Sequence, residues 1–195
     1  MYKELDDLKN VCQRCTDCGL YKTRSNVVFS DGIPNDKLML IGEAPGYWED
    51  VEGKPFVGKS GQLLDKILKS IGIAREQNIY ICNVIKCRPP DNRNPNLEEQ
   101  LACKKYLDLQ ISIIKPKIIL LCGAIAAKCM LDTTLGITKI RGQWFDGPHG
   151  SKMIPIFHPA YLLRNGTRAE NGPKWLTWKD CQKIKEKYDQ IGILN

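Results

Sequence analysis

The chain has 195 residues, 43% hydrophobic and 26% charged, with a net charge of +7. A chain of this size and apolar content buries one core with at most a small appendage, which excludes a disordered tail protein. Its longest apolar stretch, Ile118–Ala127, is flanked by Lys117 and Lys128 and falls short of the roughly 18 residues that cross a bilayer, so an integral membrane protein is excluded as well.

In chain order, MYKELDDLKN comes first and lacks the apolar segment of a secretory signal, so a cytoplasmic protein in a reducing compartment is expected. Cys12, Cys15 and Cys18 follow as CxxCxxC. Four short apolar runs, Lys37–Ile41, Asn78–Cys82, Lys117–Cys122 and Met153–Phe157, read as buried strands bounded by turn residues. Between them, Gly58–Ile71 carries Leu63, Leu64, Ile67, Leu68 and Ile71 at helical spacing. Asn96–Ile114 reads as a second helix, capped by Asn96 with Glu98 and Glu99 in its first turn and marked by Leu97, Leu101, Tyr106, Leu107, Leu109, Ile111 and Ile114. Further helices are predicted over Gly123–Leu131 and Lys174–Tyr188.

This alternation predicts one α/β domain spanning 1–195, a three-layer α/β/α arrangement around a four-stranded, mostly parallel sheet. Ligands of such sheets bind beyond the carboxyl ends of the strands. Here those ends lead into GEAPG, NVIKCRPPDNRNP, a CGA turn and HPAYLLRN, which hold most of the unusual chemistry of the chain.

Gly53-Lys-Pro-Phe-Val-Gly58-Lys59-Ser60 fits the phosphate-binding pattern GxxxxGK[ST]. Its context does not: the pattern needs a buried strand before it, and the acidic Tyr-Trp-Glu-Asp-Val-Glu stands there instead. The third strand also ends in Cys122-Gly, not in a magnesium-holding Asp.

Nine cysteines in a reducing compartment point to ligation more than to disulfides. Cys15, Cys18, Cys87 and Cys103 can close one sphere, as tetrahedral zinc or an iron–sulfur cluster, and spacing leaves open whether Cys12 or Cys18 pairs with Cys15. Cys82, Cys122, Cys129 and Cys181 lie in or beside apolar segments and read as small buried hydrophobes. Glu43, Asn83 and His158 are expected at the carboxyl edge of the sheet, with Phe56 in a nearby loop, whereas His149 reads as a solvated turn. An amide and an aromatic ring in one pocket suit a planar heterocycle, because the ring stacks and the amide pairs with adjacent donor and acceptor atoms.

Taken together, CTDCGLYKTR, GEAPGYWEDVEGKPFVGKSGQLLD, IYICNVIKCRPPDNRNP, Ala102-Cys103 and HPAYLLR resemble the family-four, iron–sulfur uracil-DNA glycosylases in order and approximate spacing. The resemblance implies a [4Fe–4S] cluster on Cys15, Cys18, Cys87 and Cys103, with Cys12 spare and the cluster structural, near the DNA-binding surface. It implies that Phe56 stacks on a flipped uracil, Asn83 reads its O4 and N3–H edge, and Glu49 crowds C5 against thymine. Backbone groups of Gly42, Glu43 and Ala44 complete the implied pocket. By the same resemblance His158 would donate to uracil O2 as charge develops there, by the logic of an oxyanion hole. Leu162 or Leu163 wedges into the base stack while Arg164 holds phosphate.

The implied reaction is monofunctional hydrolysis of the N-glycosidic bond in single- or double-stranded DNA, leaving an abasic site. Better-known relatives orient the water with an aspartate where this chain has Ala44, so Glu43 is the available carboxylate, and no lysine stands at an evident nucleophile position. Tyr47 and Trp48 occupy positions that are often acidic in relatives. The charge balance favours a polyanionic partner and is also compatible with an ordinary enzyme. Nothing in the sequence demands more than a monomer, and a sliding clamp stays open as a further partner. The alternative reading is a non-catalytic, cluster-bearing nucleic-acid-binding module of the same fold.

Overall fold

The computed structural model describes residues 1–167 and 169–193. Helix α1 (Tyr2–Gln13) leads, through a 3-10 turn at Gly19–Lys22, to the short strand β1 (Asp31–Gly32) and then β2 (Leu38–Gly42). Helices α2 (Tyr47–Glu52) and α3 (Lys59–Lys69) precede β3 (Tyr80–Asn83), and α4 (Leu97–Ile114) precedes β4 (Ile118–Cys122). After these come α5 (Ala124–Leu131), α6 (Ile137–Ile140), β5 (Phe145–Asp146), β6 (Lys152–Ile156), α7 (Pro159–Arg164) and α8 (Pro173–Ile193).

The strands form one sheet in the order β1-β3-β2-β4-β6-β5. The central strands β3, β2, β4 and β6 are mutually parallel, while β1 and β5 add antiparallel edges of two residues each. The expected count of four strands is therefore corrected to six among the described residues, the four expected ones forming the parallel centre. Two-residue edges carry too little side-chain alternation to be legible as strands, and they blunt the sheet's outer hydrogen-bonding groups.

Strand alternation divides the interior. Met39, Ile41, Tyr80, Cys82, Ile119 and Leu121 face a core built with Leu5 and Leu8 of α1, Leu107 and Ile111 of α4, and Ala126 of α5. Leu38, Leu40, Ile81, Leu120 and Ile154 face the other core, with Leu64 and Leu68 of α3 and Ile184 of α8. Helices thus cover both faces, as a buried parallel sheet requires. Leu97, Leu101 and Leu109 are exposed, contrary to an inward role on α4. The face that α4 buries carries Glu99, Cys103, Tyr106, Leu107, Gln110, Ile111 and Ile114.

After β2 the chain moves to β3 on one side, then to β4 on the other. A reversal of this kind opens a crevice at the carboxyl edge of a sheet. Among the described residues, no helix is long and apolar enough to cross a membrane.

Candidate active site and a cysteine-lined pocket

A cleft of about 680 Å³ opens at this edge. Its lining includes Glu43 and Ala44 after β2, Phe56, Asn83 at the end of β3, and His158 and Arg164 beyond β6. The tertiary fold therefore brings the sequence-predicted residues together. Gly42 lies directly beneath them: a Cβ there would stand 2.4 Å from Asn83 Oδ1 and 2.5 Å from Phe56 Cζ, so only glycine leaves room for both. The carbonyls of Gly42 and Glu43 accept from the N–H groups of Val84 and Ile85, which binds the floor of the cleft to the end of β3.

Asn83 is buried, and its Oδ1 has no hydrogen-bond partner. A buried acceptor left unmade costs roughly 1–3 kcal/mol, so an orphan on a cleft wall is an invitation to a donor. In the same cleft, Ala160 N–H donates to His158 Nδ1 at 3.2 Å. A neutral imidazole that accepts at Nδ1 carries its hydrogen on Nε2, so His158 presents an N–H donor. Burial, and then the charge of Arg164, push the imidazole down to about 4, so it is neutral at physiological pH. The His158 and Phe56 rings lie 5.7 Å apart between centroids and are inclined by 31°.

Phe56 itself has φ = 56°, a left-handed conformation that a bulky side chain adopts only when its surroundings impose it. Two groups do so here. Arg75 donates to Pro55 O at 2.7 Å and Phe56 O at 2.8 Å, and its charge is held by Asp31 and Asp65 at 2.8 and 3.1 Å. On the following residues, Glu49 Oε1 accepts from Val57 N–H and Gly58 N–H at 3.0 Å, while Oε2 accepts from Gly46 N–H at 3.1 Å. The amides that make GKPFVGKS look like a phosphate loop are thus turned onto a carboxylate of the same chain. Arg75 carried no signal in the sequence, since its partners are distant. The bracing role of Glu49 had only half a capping signal in the sequence: a carboxylate three residues after Gly46 reaches back to that residue's N–H, and glycine has no side chain to return the bond.

Glu43 is half-buried on the cleft wall, and burial raises its carboxyl above the usual range. Of the two candidate wedges, Leu162 is 2% exposed and packed inward, whereas Leu163 is 51% exposed. Leu162 is therefore corrected to a packing residue: on the short α7, adjacent residues point to different sides. Asn92, Arg93 and Asn94, which the sequence did not single out, also line the cleft.

A second pocket is lined by Cys12, Cys15, Cys18, Cys87 and Cys103, together with Arg24, Lys86 and Tyr106. Arg24 Nη1 donates to Cys87 Sγ and Lys86 N–H to Cys103 Sγ, each at 3.3 Å. Burial pushes the Cys103 thiol up to about 11 and raises that of Cys87 as well, so their thiolates need positive partners. Among the described residues, no group of three or more His, Cys, Asp or Glu is placed to hold a metal ion. Cys82, Cys122 and Cys181 are buried, as expected of small hydrophobes, and Cys129 is half-buried. His149 is exposed in a turn.

Lys86 is completely buried, a role the sequence reading missed although a lysine inside the apolar run NVIKC is its signal. Its Nζ donates to Asn83 O at 2.7 Å and Gln110 Oε1 at 2.6 Å. One residue thereby touches both the cysteine pocket, through its backbone, and the strand end that carries Asn83.

Fold and cleft agree with the comparison to known proteins: residues 29–182 match the uracil DNA glycosylase superfamily, and the chain belongs to that family. More narrowly, it is 45% identical over 174 residues to the type-4 uracil-DNA glycosylase of Thermotoga maritima, covering 89% of this chain and 88% of that one. It is 43% identical over 190 residues to the type-4 uracil-DNA glycosylase of Sulfurisphaera tokodaii, covering 93% and 84%. Against that of Saccharolobus solfataricus the identity is 41% over 190 residues, covering 93% and 85%.

Proposed function

We infer that this chain, residues 1–195, is a cytoplasmic DNA-repair enzyme that excises uracil from DNA by hydrolysing the N-glycosidic bond of a flipped nucleotide and leaves an abasic site. The observation that carries the reading is the unpartnered, buried Oδ1 of Asn83, in the same cleft as the Nε2–H of a neutral His158. Uracil offers N3–H to that oxygen and O4 to the amide nitrogen. Cytosine presents an acceptor at N3 and a donor at C4, and both would clash electrostatically with the same amide.

Phe56 stacks on the base, and its braced turn sets the plane of the ring. As the glycosidic bond lengthens, negative charge grows on the base, and His158 Nε2–H donates to O2. Such preorganised donors need no reorganisation at the moment of reaction and are worth roughly 10²- to 10³-fold in rate. Glu43 orients the water that reaches C1′ and takes up its proton. Glu49 closes the C5 side of the pocket through the turn it braces, leaving no room for the methyl of thymine. Leu163 fills the gap in the base stack, and Arg164 holds phosphate.

Cys15, Cys18, Cys87 and Cys103 would hold a [4Fe–4S] cluster. The fit rests on five cysteines around one pocket rather than a single point, with two N–H donors aimed at sulfur. Four cysteine thiolates are the donor set that such a cluster takes, and it would supply the positive partner that the buried Cys87 and Cys103 thiolates need. Held there, it would tie the segment after α1 to the loop after β3 and to α4.

The test is incubation of the protein in EDTA with a uracil-containing oligonucleotide and its thymine counterpart, followed by alkali and a gel. Cleavage at uracil alone, and only after alkali, is the expected result. An uncut uracil strand with folded, brown protein would instead leave a nucleic-acid-binding module.

A further inference from the structure

Tyr47 and Trp48 open α2 on the rim of the same cleft, and they are 52% and 57% exposed. Their rings meet edge to face, 5.2 Å between centroids at 83°, so each braces the other. Arg88 lies 5.1 Å from the Tyr47 ring, and its own side chain is held by Asn92 Oδ1 at 2.7 Å. Lys59 and Arg164 stand on the same rim.

Two of the three carboxylates of α2 are engaged by backbone amides, and the third, Glu52, is exposed at the far end of the helix. Glu49 serves the amides of Gly46, Val57 and Gly58, and Asp50 accepts from Ser25 N–H and Asn26 N–H. The first turn of the helix therefore spends its two acidic groups, Glu49 and Asp50, on its own scaffold and presents two aromatic rings beside a guanidinium at the cleft. Exposed aromatics interleaved with cations along a groove are the arrangement by which proteins hold single strands: bases stack on the rings while the backbone follows the positive charge. Neither ring is needed for the core, which is complete without them.

We propose that Tyr47 and Trp48 form a stacking platform for the nucleotide next to the extruded uracil, with Arg88 supporting it, and that unpaired DNA is consequently the preferred substrate. The proposal rests on the base-excising reading of the cleft. When a base leaves its stack, its neighbour loses a partner; in a duplex the complementary strand still holds that neighbour, whereas in a single strand only the protein can.

The experiment is fluorescence anisotropy of labelled oligonucleotides carrying one stable abasic-site analogue, single-stranded and as duplex, against wild type, Tyr47→Ala, Trp48→Ala and Trp48→Phe. A uracil-free single strand of thymidine serves as a second ligand, because the platform does not depend on uracil. Trp48→Ala is expected to weaken single-strand binding roughly 5- to 100-fold, with a smaller loss on the duplex and most of the affinity regained in Trp48→Phe. Unchanged single-strand affinity in Trp48→Ala and Tyr47→Ala would overturn the platform, and equal losses on single strand and duplex would overturn the substrate preference. Failure of the functional reading looks different: wild type leaves uracil uncut, while the anisotropy comparison still reads the platform.

Discussion

The guanidinium of Arg75 holds the carbonyl of Phe56 at 2.8 Å, fixing a left-handed backbone at the residue assigned to stack on the base. Such a conformation costs a bulky residue roughly 1–3 kcal/mol and persists only where neighbours over-determine it. Arg75→Gln removes the brace and unpairs Asp31 and Asp65. We expect a loss of about 1–3 kcal/mol of stability, seen in thermal melts, and an increase in KM for uracil-containing DNA larger than the fall in kcat. Arg75→Lys, which keeps the charge but loses the two-pronged reach, should fall between the two. A variant with wild-type KM would remove Arg75 from the positioning of Phe56.

Asn83→Asp replaces the amide nitrogen, a donor, with a second acceptor. Selectivity for uracil over cytosine should fall by about 10- to 100-fold, the discrimination typical of a bidentate base contact. Excision of each base from otherwise identical oligonucleotides measures it, and unchanged selectivity would refute the reading role.

His158 is pushed down to about 4 by burial and Arg164, against an ordinary value near 6.5. Its folded-state proton affinity is thus depressed, and the folded chain binds fewer protons than the unfolded chain between these limits. The resulting stability is fully present above about pH 6.5 and is lost as pH falls towards 4. Single-turnover excision should accordingly show no step near pH 6.5 attributable to His158. Nitrogen NMR at neutral pH should find its hydrogen on Nε2. His158→Ala should slow excision roughly 10²- to 10³-fold with a much smaller effect on DNA affinity; equal losses in both would sink the leaving-group assignment.

Lys86→Met leaves Asn83 O and Gln110 Oε1 buried without their donor. A cost of about 2–5 kcal/mol is expected, together with relaxed uracil selectivity, because the end of β3 loses its anchor. Urea unfolding and the base-selectivity assay read the two effects, and a stable variant with relaxed selectivity would separate them.

Cys87→Ala should lose the brown chromophore and thermal stability together. A colourless, folded and fully active variant would show that cluster ligation at this position is dispensable.

By itself the sequence determined the four parallel strands, the helices α3, α4, α5 and α8 though not α1, and the residues that gather at the carboxyl edge. Alternating apolar runs and caps are local signals, and chain order around a parallel sheet limits where loops can emerge. The expectations for Phe56, Asn83 and His158 were legible because each follows a strand or a turn signal. The antiparallel edge strands were not legible, since two residues carry no period, and neither were the outward-facing Leu97 and Leu101, whose spacing mimics an inward face. Only the tertiary structure decided that Arg75 and Glu49 brace the Phe56 turn, one through its carbonyls and the other through its amides, that Lys86 is a buried tie, and that Leu163 rather than Leu162 faces solvent. Each of these depends on the direction of a side chain relative to elements distant in sequence, which no local pattern encodes.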